Sequence, residues 1–517
     1  MMKPSLNRRG FLKLASLLPF TTPLLSAANP EFAGPKTSAG TPNVIIIVFD
    51  AFSAHDASLY GFKRETTPNL LRFAEHATVF HKHYSAGNFT TPGTTSLLTG
   101  TYPWTHRAIN HYGTPLHSYN DRNVFSEFGN ENYTRVGFTH NFFASLVLDQ
   151  LKASLDEFIL PNEVALVDFN YADNIFPWDY SIASQSETFY FRKPDRLSDS
   201  LFLFPILWSI RDKINYLLID RLKGKFPKGI PGNHDVLYPL EDTLDWAMDQ
   251  LRHWPQPLLA YLHMMPPHDP YRPRKDFLDL YLDGWQPPSK PDHFFGDFHD
   301  RQHILDGYRI EYDQFITYVD SEFGRLHDFL HDSGLFENSI VVLTSDHGEM
   351  FERRIWQHTT PTLFQPILRI PLLISTPGQS TRQDVHTTTC SVDVLPTLLH
   401  LTKRPVPEWI EGTVLPPYTS QDQPSDRSIF AVEAKSNPKV GPLRKATVAM
   451  IKGDYKLIHY RGYQGHDDVY ELYNLEQDPE ELEDLYPAQP PVALELKNEL
   501  LAKIEEKDAP FIQSGSD

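Results

Sequence analysis

The stretch Val44-Ile45-Ile46-Ile47-Val48-Phe49-Asp50 decides the reading of this chain. Six consecutive apolar residues, most of them β-branched, suit a strand buried on both faces, as in a parallel sheet covered by helices. The run stops on a carboxylate, Asp50. Similar runs recur at Leu258–Met264, Ile340–Leu343 and Pro371–Ser375. Helical patterns lie between them. Thr67-Pro68-Asn69 opens one with Leu70, Leu71, Phe73 and Ala74. Another, from about Tyr312 to Leu330, sets Phe315, Val319, Phe323, Leu326 and Leu330 at three- and four-residue spacing. Strands alternating with helices predict an α/β sandwich.

Open α/β sheets bind ligands beyond the carboxyl ends of their strands. Asp50 closes the first run, and Asp346-His347-Gly348-Glu349 follows Ile340–Leu343. His268, within Pro266-Pro267-His268-Asp269-Pro270-Tyr271, follows Leu258–Met264. Two carboxylates and an imidazole at one rim can hold a divalent metal. Thr90-Thr91-Pro92 opens another helix, with Thr90 expected as its N-cap and the proline in its first turn. A hydroxyl there feels the positive end of the helix dipole, which favours an alkoxide, and a bound metal would lower its pKa further.

The chain has 517 residues and a formal net charge of −19, enough length for one large domain or two smaller ones. The acidic balance argues against nucleic acid or an anionic membrane as partner. Cys390 is the single cysteine, so no intrachain disulfide forms, and its apolar setting predicts a buried, inert thiol. Asn7-Arg8-Arg9-Gly10-Phe11-Leu12-Lys13, then an apolar run to Leu25 and Ser26-Ala27-Ala28, resembles a twin-arginine export signal over residues 1–28. Its apolar run is too short to span a membrane, and no other run is long enough. Periplasmic or extracellular placement is therefore expected. Residues 29–42 read as a linker. Residues of about 150–250, rich in Phe, Tyr, Trp and Pro, read as an insertion that shapes a pocket. A Pro-rich connection from about 412 to 428 leads to a smaller unit with alternating Tyr455, Leu457 and His459, ending in a charged helix near Val492–Glu506.

Thr90-x-Pro92 followed by Leu97-Leu98-Thr99-Gly100 resembles the sulfatase signature, and further segments resemble that family in the same order. They include Pro267-His268-Asp269-Pro270-Tyr271, Ser345-Asp346-His347-Gly348, Asp393-Val394-Leu395-Pro396-Thr397-Leu398 and Glu471-Leu472-Tyr473-Asn474-Leu475. The resemblance implies an alkaline-phosphatase-like catalytic domain over 43–412 and a C-terminal α+β subdomain with a short antiparallel sheet over 428–517. The departures matter as much. The family's nucleophile is a formylglycine made from Cys or Ser, which threonine cannot become. Thr94 stands where the signature has Arg. Gly137-Phe138-Thr139-His140 stands where the family has Gly-Lys-x-His, and Asp50-Ala51 where it has an Asp pair.

These departures resemble the Thr-dependent branch of the alkaline phosphatase superfamily, the phosphoethanolamine and phosphoglycerol transferases. That resemblance implies Asp50, Thr90, Asp346 and His347 as metal ligands, Thr90 as nucleophile, and His268 and His358 at the transferring group or leaving group. A mixed N/O site favours one Zn²⁺ or Mn²⁺ over Ca²⁺, which prefers six or more oxygens. The expected activity is hydrolysis or transfer of phosphate esters through a phospho-enzyme, with hydrolysis favoured. The substrate is a small-molecule, glycan or lipid-headgroup ester. A sulfatase without formylglycine and a non-catalytic sulfatase-fold binding protein are the alternatives.

Overall fold

The computed structural model describes residues 40–129, 132–169, 204–233, 236–298, 301–419 and 427–513. The twin-arginine stretch, residues 170–203 of the aromatic-rich stretch and residues 420–426 of the Pro-rich connection lie outside them. The chain divides into two compact units, one of residues 1–36 and 167–221, the other of 37–166 and 222–517. In the described part of the first, the helix Phe204–Leu222 meets Val167–Asp168 through the Asn215 side chain, which donates to the Asp168 carbonyl at 3.3 Å.

The second unit is built on an eight-stranded sheet: β1 (Asn43–Phe49), β2 (Thr78–Phe80), β3 (Thr134–Thr139), β4 (Glu157–Ile159), β5 (Leu258–Met264), β6 (Ser339–Thr344), β7 (Leu372–Ser375) and β8 (Gln383–Val385). Their order is β8-β2-β7-β6-β1-β5-β3-β4. All pairings are parallel except those of β7 with β6 and β2. The first run thus occupies the centre, where both faces are covered. Val44, Ile46 and Val48 join a core with Val147, Leu148 and Leu151 of α3 (Phe142–Leu151) and Leu395, Leu398 and Leu399 of α6 (Val394–Leu401). On the other face Phe49 meets Phe323 of α5 (Gln302–Asp332) edge to face at 6.3 Å. Each such fully buried side chain contributes about 1.5–3 kcal/mol.

The remaining helices of this body include α1 (Pro68–Ala74), α2 (Thr90–Thr99) and α4 (Leu240–His253). Both ends of the aromatic-rich stretch carry regular elements: β4 lies at the sheet edge, and α4 buries Leu240, Leu244, Ala247 and Leu251. A second sheet, β9 (Ile429–Glu433), β10 (Ala446–Lys452), β11 (Tyr455–Arg461) and β12 (Val469–Asn474), is an antiparallel meander. Ala493, Leu496, Leu500 and Ile504 of α7 (Pro491–Gln513) pack with its core. Among the described residues no helix is long and apolar enough to cross a membrane.

Strand register sets the site. Val48 pairs with both His263 and Thr344, and Thr139 pairs with His263. The carboxyl ends of β1, β3, β5 and β6 are therefore level, and the residues that follow them share one rim.

Candidate active site

The chain turns sharply as it leaves β1. Ala51 has φ 58°, the left-handed region that costs a non-glycine residue of order 1–3 kcal/mol. Tyr312 holds this turn: its hydroxyl donates to the Ala51 carbonyl at 2.5 Å and accepts from the Ser53 N–H at 2.9 Å. The Ala51 N–H donates to Asp346 Oδ1 at 3.3 Å. The first strand end is thereby locked to the loop after β6.

Thr90 comes to the same rim because α2 starts against that loop. A Cβ on Gly93 would lie 2.3 Å from the Asp346 carbonyl oxygen, so only glycine permits the approach. Thr90 is the first helical residue, and the N-cap position falls to Phe89 rather than to Thr90 as the sequence suggested. The Thr90 side chain is engaged elsewhere: Oγ1 is 3.4 Å from His347 Nε2 and accepts from Asn141 Nδ2 at 3.1 Å.

Four donor atoms converge here. The His347 Nδ1–H donates to the Gly348 carbonyl at 2.9 Å, which leaves Nε2 as the lone-pair nitrogen. That nitrogen lies 3.4 Å from Asp50 Oδ1 and 3.6 Å from Asp346 Oδ2. Both of these carboxylate oxygens are buried without a hydrogen-bond partner. The outer oxygens are occupied: Asp50 Oδ2 accepts from Asn141 Nδ2 at 2.6 Å, and Asp346 Oδ1 accepts from the His347 N–H at 3.0 Å. Orphaned buried carboxylate oxygens are costly unless a cation meets them. Asp50, Asp346 and His347 form a buried group able to hold a metal ion, and this donor set fits a divalent cation.

The electrostatics follow from burial and from charge pairing. Burial alone would raise Asp50, but His268, His263 and His347 hold it well below the ordinary carboxylate range. Asp346 is raised, by burial and then by the Asp50 charge. Burial pushes the His347 imidazole down.

Two further histidines stand beside this cluster. The rings of His347 and His358 are 4.2 Å apart, and those of His268 and His358 are 4.9 Å apart. His358 Nδ1 is 2.9 Å from Glu349 Oε1, whose other oxygen accepts from Tyr271 at 3.1 Å. His268 Nδ1 donates to the Asp269 carbonyl at 2.8 Å and lies 3.1 Å from Asp269 Oδ1. Each ring is thus oriented through Nδ1, leaving Nε2 for another partner. Burial, then the neighbouring His268, pushes His358 down to about 3, and burial pushes the Glu349 carboxyl up to about 8. Burial opposes protonation of His268, but Asp269 and Asp50 outweigh it and raise that imidazole.

The structure therefore brings together Asp50, Thr90, Asp346, His347, His268 and His358. Sequence reasoning missed Asn141 and His263. Asn141 caps α3, its Oδ1 accepting from the Phe143 N–H at 2.7 Å, and it directly follows the segment set against Gly-Lys-x-His. His263 is buried inside β5, with Nε2 3.2 Å from Asp50 Oδ2 and Nδ1 3.1 Å from the Tyr261 hydroxyl. An imidazole within an otherwise apolar run was the available signal. Thr94 and Phe138, which stand where the family has its Arg and Lys, are both buried, and His140 stacks on Tyr238 with centroids 3.4 Å apart. Cys390 is fully buried, and burial pushes its thiol up to about 12.

Residues 42–403 match the family described as Sulfatase, and residues 352–509 match N-sulphoglucosamine sulphohydrolase, C-terminal. The chain belongs to the sulfatase family. Among curated relatives, a choline-sulfatase of Rhizobium meliloti (strain 1021) is 23% identical over 470 residues, covering 87% of this chain and 83% of the relative. Among solved structures of this sulfatase fold, the phosphonate monoester hydrolase SpPMH of Silicibacter pomeroyi superposes with a TM-score of 0.61 at 20% identity, covering 90% of this chain and 96% of the other. A protein solved in complex with its substrate D-glucosamine-2-N,6-O-disulfate gives 0.62 at 17% identity, covering 91% and 99%. At these identities the structural likeness is one of fold.

Proposed function

We propose that this sulfatase-family protein is a metal-dependent ester hydrolase that cleaves phosphate esters through Thr90. The observation that carries this reading is the setting of Thr90 Oγ1. It is 3.4 Å from His347 Nε2, beside two orphaned carboxylate oxygens, and it accepts a hydrogen bond from Asn141 at the start of a ten-residue helix. A divalent ion held by Asp50, Asp346, His347 and Thr90 would supply Lewis acidity and lower the pKa of the hydroxyl. The mixed imidazole and oxygen donors favour Zn²⁺ or Mn²⁺ over Ca²⁺.

The chain's own groups account for the rest. Thr90, having lost its proton to solvent, attacks phosphorus in line; the Oγ–P bond forms as the bond to the leaving alkoxide breaks. The Asn141 carboxamide stabilises the alkoxide by donating to it. In this reading His268, whose imidazole is raised, protonates the departing oxygen, and the neutral His358 contacts the phosphoryl oxygens. Water then attacks phosphothreonine and regenerates the hydroxyl; an acceptor alcohol in place of water would make the protein a transferase.

Threonine favours phosphorus over sulfur. An ester of Thr90 has no second hydroxyl on its carbon through which to expel the bound anion, as a hydrated aldehyde has. It must be resolved by attack on the central atom. The match to a choline-sulfatase over most of both chains favours the second reading, hydrolysis of sulfate esters by the same group. A panel of sulfate esters, phosphate monoesters and phosphate diesters with added Zn²⁺, Mn²⁺ or Ca²⁺ separates the two. Phosphate turnover exceeding sulfate turnover is expected, and the reverse would refute the phosphate assignment. Arg8-Arg9 and the apolar run after them support twin-arginine export to the periplasm or beyond. Replacing both arginines by lysine should retain the protein in the cytoplasm.

A further inference from the structure

The loop of residues 434–445, between β9 and β10, carries Lys435, Lys439, Arg444 and Lys445 and no carboxylate, in a chain of net charge −19. Hydrogen bonds hold it against the active site. Asn110 Nδ2 donates to the carbonyls of Lys435 at 2.7 Å and Asn437 at 3.0 Å, and Lys439 Nζ donates to Thr114 Oγ1 at 3.2 Å. Residues 110–114 are in turn fixed to the reacting end of α2. The Thr91 hydroxyl donates to the His111 carbonyl at 2.9 Å, and the His111 ring lies 4.8 Å from Phe89. On its other side the Lys435 ammonium donates to the carbonyl of Thr359, the residue after His358. Asn88, two residues before Thr90, holds that same segment, donating to the carbonyls of His358 at 2.9 Å and Thr360 at 3.1 Å. Lys435 thus sits between the segment of His358 and the segment that braces Thr90.

The charge of Lys435 is incompletely met within the protein. Its side chain is 22% exposed, and the Glu433 carboxylate lies 3.9 Å away, beyond hydrogen-bond reach. Both Glu433 oxygens have other donors: Oε1 accepts from the Lys435 N–H at 3.1 Å and Oε2 from the Tyr463 hydroxyl at 2.8 Å. Burial pushes the Lys435 ammonium down; Glu433 offsets this only in part, and Lys445 works against it. A cation so placed gains from an added anion, which restores what burial has removed. Burial, then the Lys435 charge, also pushes the His111 imidazole down, so it stays neutral and keeps one N–H to donate.

We propose that Lys435, with His111 beside it, forms an anion subsite for the leaving group, and that the substrate is an ester whose alcohol carries a second phosphate. This rests on the reading of Thr90 as the reacting group. An ammonium and an imidazole are compact donors that suit the spread oxygens of a phosphate, whereas a carboxylate is best met by the planar fork of an arginine. A quaternary ammonium on the alcohol would face the same cations and be repelled.

The test is equilibrium binding to the full chain, by calorimetry, of phosphonates that have no ester to hydrolyse. They are propylphosphonate and the same chain ended by a second phosphonate, by a carboxylate or by trimethylammonium. The bisphosphonate should bind about tenfold tighter than propylphosphonate, the worth of one charge-assisted hydrogen bond, and tighter than the carboxylate. Lys435→Met should bring the ratio of bisphosphonate to propylphosphonate affinity to within about twofold, and Lys435→Arg should retain most of it. Equal binding of these two by the unaltered protein would overturn the subsite, as would tightest binding of the trimethylammonium compound. A ratio that survives Lys435→Met would also overturn it, because the advantage would then come from elsewhere, such as chelation of a bound metal, or both affinities would have fallen alike through a structural defect. A carboxylate that gains as much as the second phosphonate would overturn the phosphate assignment. Full ester turnover by Thr90→Ala with the ratio intact would overturn the nucleophile and leave the subsite standing.

Discussion

Asn141 donates to Thr90 Oγ1 at 3.1 Å with the same nitrogen that donates to Asp50 Oδ2 at 2.6 Å. The two hydrogens of one carboxamide thus fix a hydroxyl and a carboxylate relative to each other. As Thr90 becomes an alkoxide, the bond to it strengthens, because donors aimed at developing charge act most strongly in a site shielded from water. Asn141→Ala should lower kcat about a hundredfold with little change in KM. Asn141→Asp should do no better, because a carboxylate cannot donate to Thr90. Steady-state kinetics on the best ester of the panel checks both, and an unaltered kcat in Asn141→Ala would rule out the contact as catalytic.

His263 and His347 face different carboxylate oxygens of Asp50. His263 Nε2 faces Asp50 Oδ2 at 3.2 Å and Asp346 Oδ2 at 3.8 Å, and Tyr261 engages Nδ1 at 3.1 Å. The ring thereby favours presentation of Asp50 Oδ1 to an ion shared with His347. Groups that orient metal ligands in this way are typically worth 10–100-fold in affinity. Tyr261→Phe should weaken ion uptake by about tenfold and His263→Ala by more, read by competition with a chromophoric chelator. Affinities within twofold of the unaltered protein would remove His263 from this role.

Much of this arrangement was legible in the sequence, for a physical reason. Continuous β-branched runs such as Val44–Phe49 and Leu258–Met264 have few alternatives to a buried parallel strand, and a carboxylate or histidine at the end of such a run falls on the rim. Asp50, Asp346, His347 and His268 could be placed together on that ground. Strand β3 was not legible, because Thr134, Arg135, Gly137 and Thr139 dilute its apolar content. Helix α4 has Leu240, Leu244, Ala247 and Leu251 at helical spacing, but aromatic residues and prolines surround it. Asn141 has the signature of a helix cap, and it is one; only three-dimensional placement shows its amide nitrogen on Thr90. His263 shares a strand with apolar neighbours, and register alone brings it level with Val48 and Thr344.

His55 lies just beyond the β1 turn, with Nε2 3.3 Å from Glu480 and Nδ1 3.7 Å from Asp56. Burial alone would lower this imidazole, but the neighbouring carboxylates of Asp56 and Glu480 outweigh it and raise it to about 9. A histidine raised above its unfolded value of about 6.5 contributes stability fully below that pH and loses it as pH rises through about 9. The contribution is on the order of 3 kcal/mol at most. The thermal midpoint of the unaltered protein should exceed that of His55→Gln most at pH 6, and the gap should close by pH 10. A gap that is constant with pH would show that the ion pairs do not set His55's protonation.

The nucleophilic role of Thr90 is the claim on which the rest of the chemistry depends. The most direct measurement is kcat/KM of Thr90→Ala on the best ester of the panel, with metal content matched to the unaltered protein. The account predicts a loss of at least about a thousandfold, since removal of a nucleophile leaves only binding and electrostatic assistance. Turnover within about threefold of the unaltered protein would contradict it.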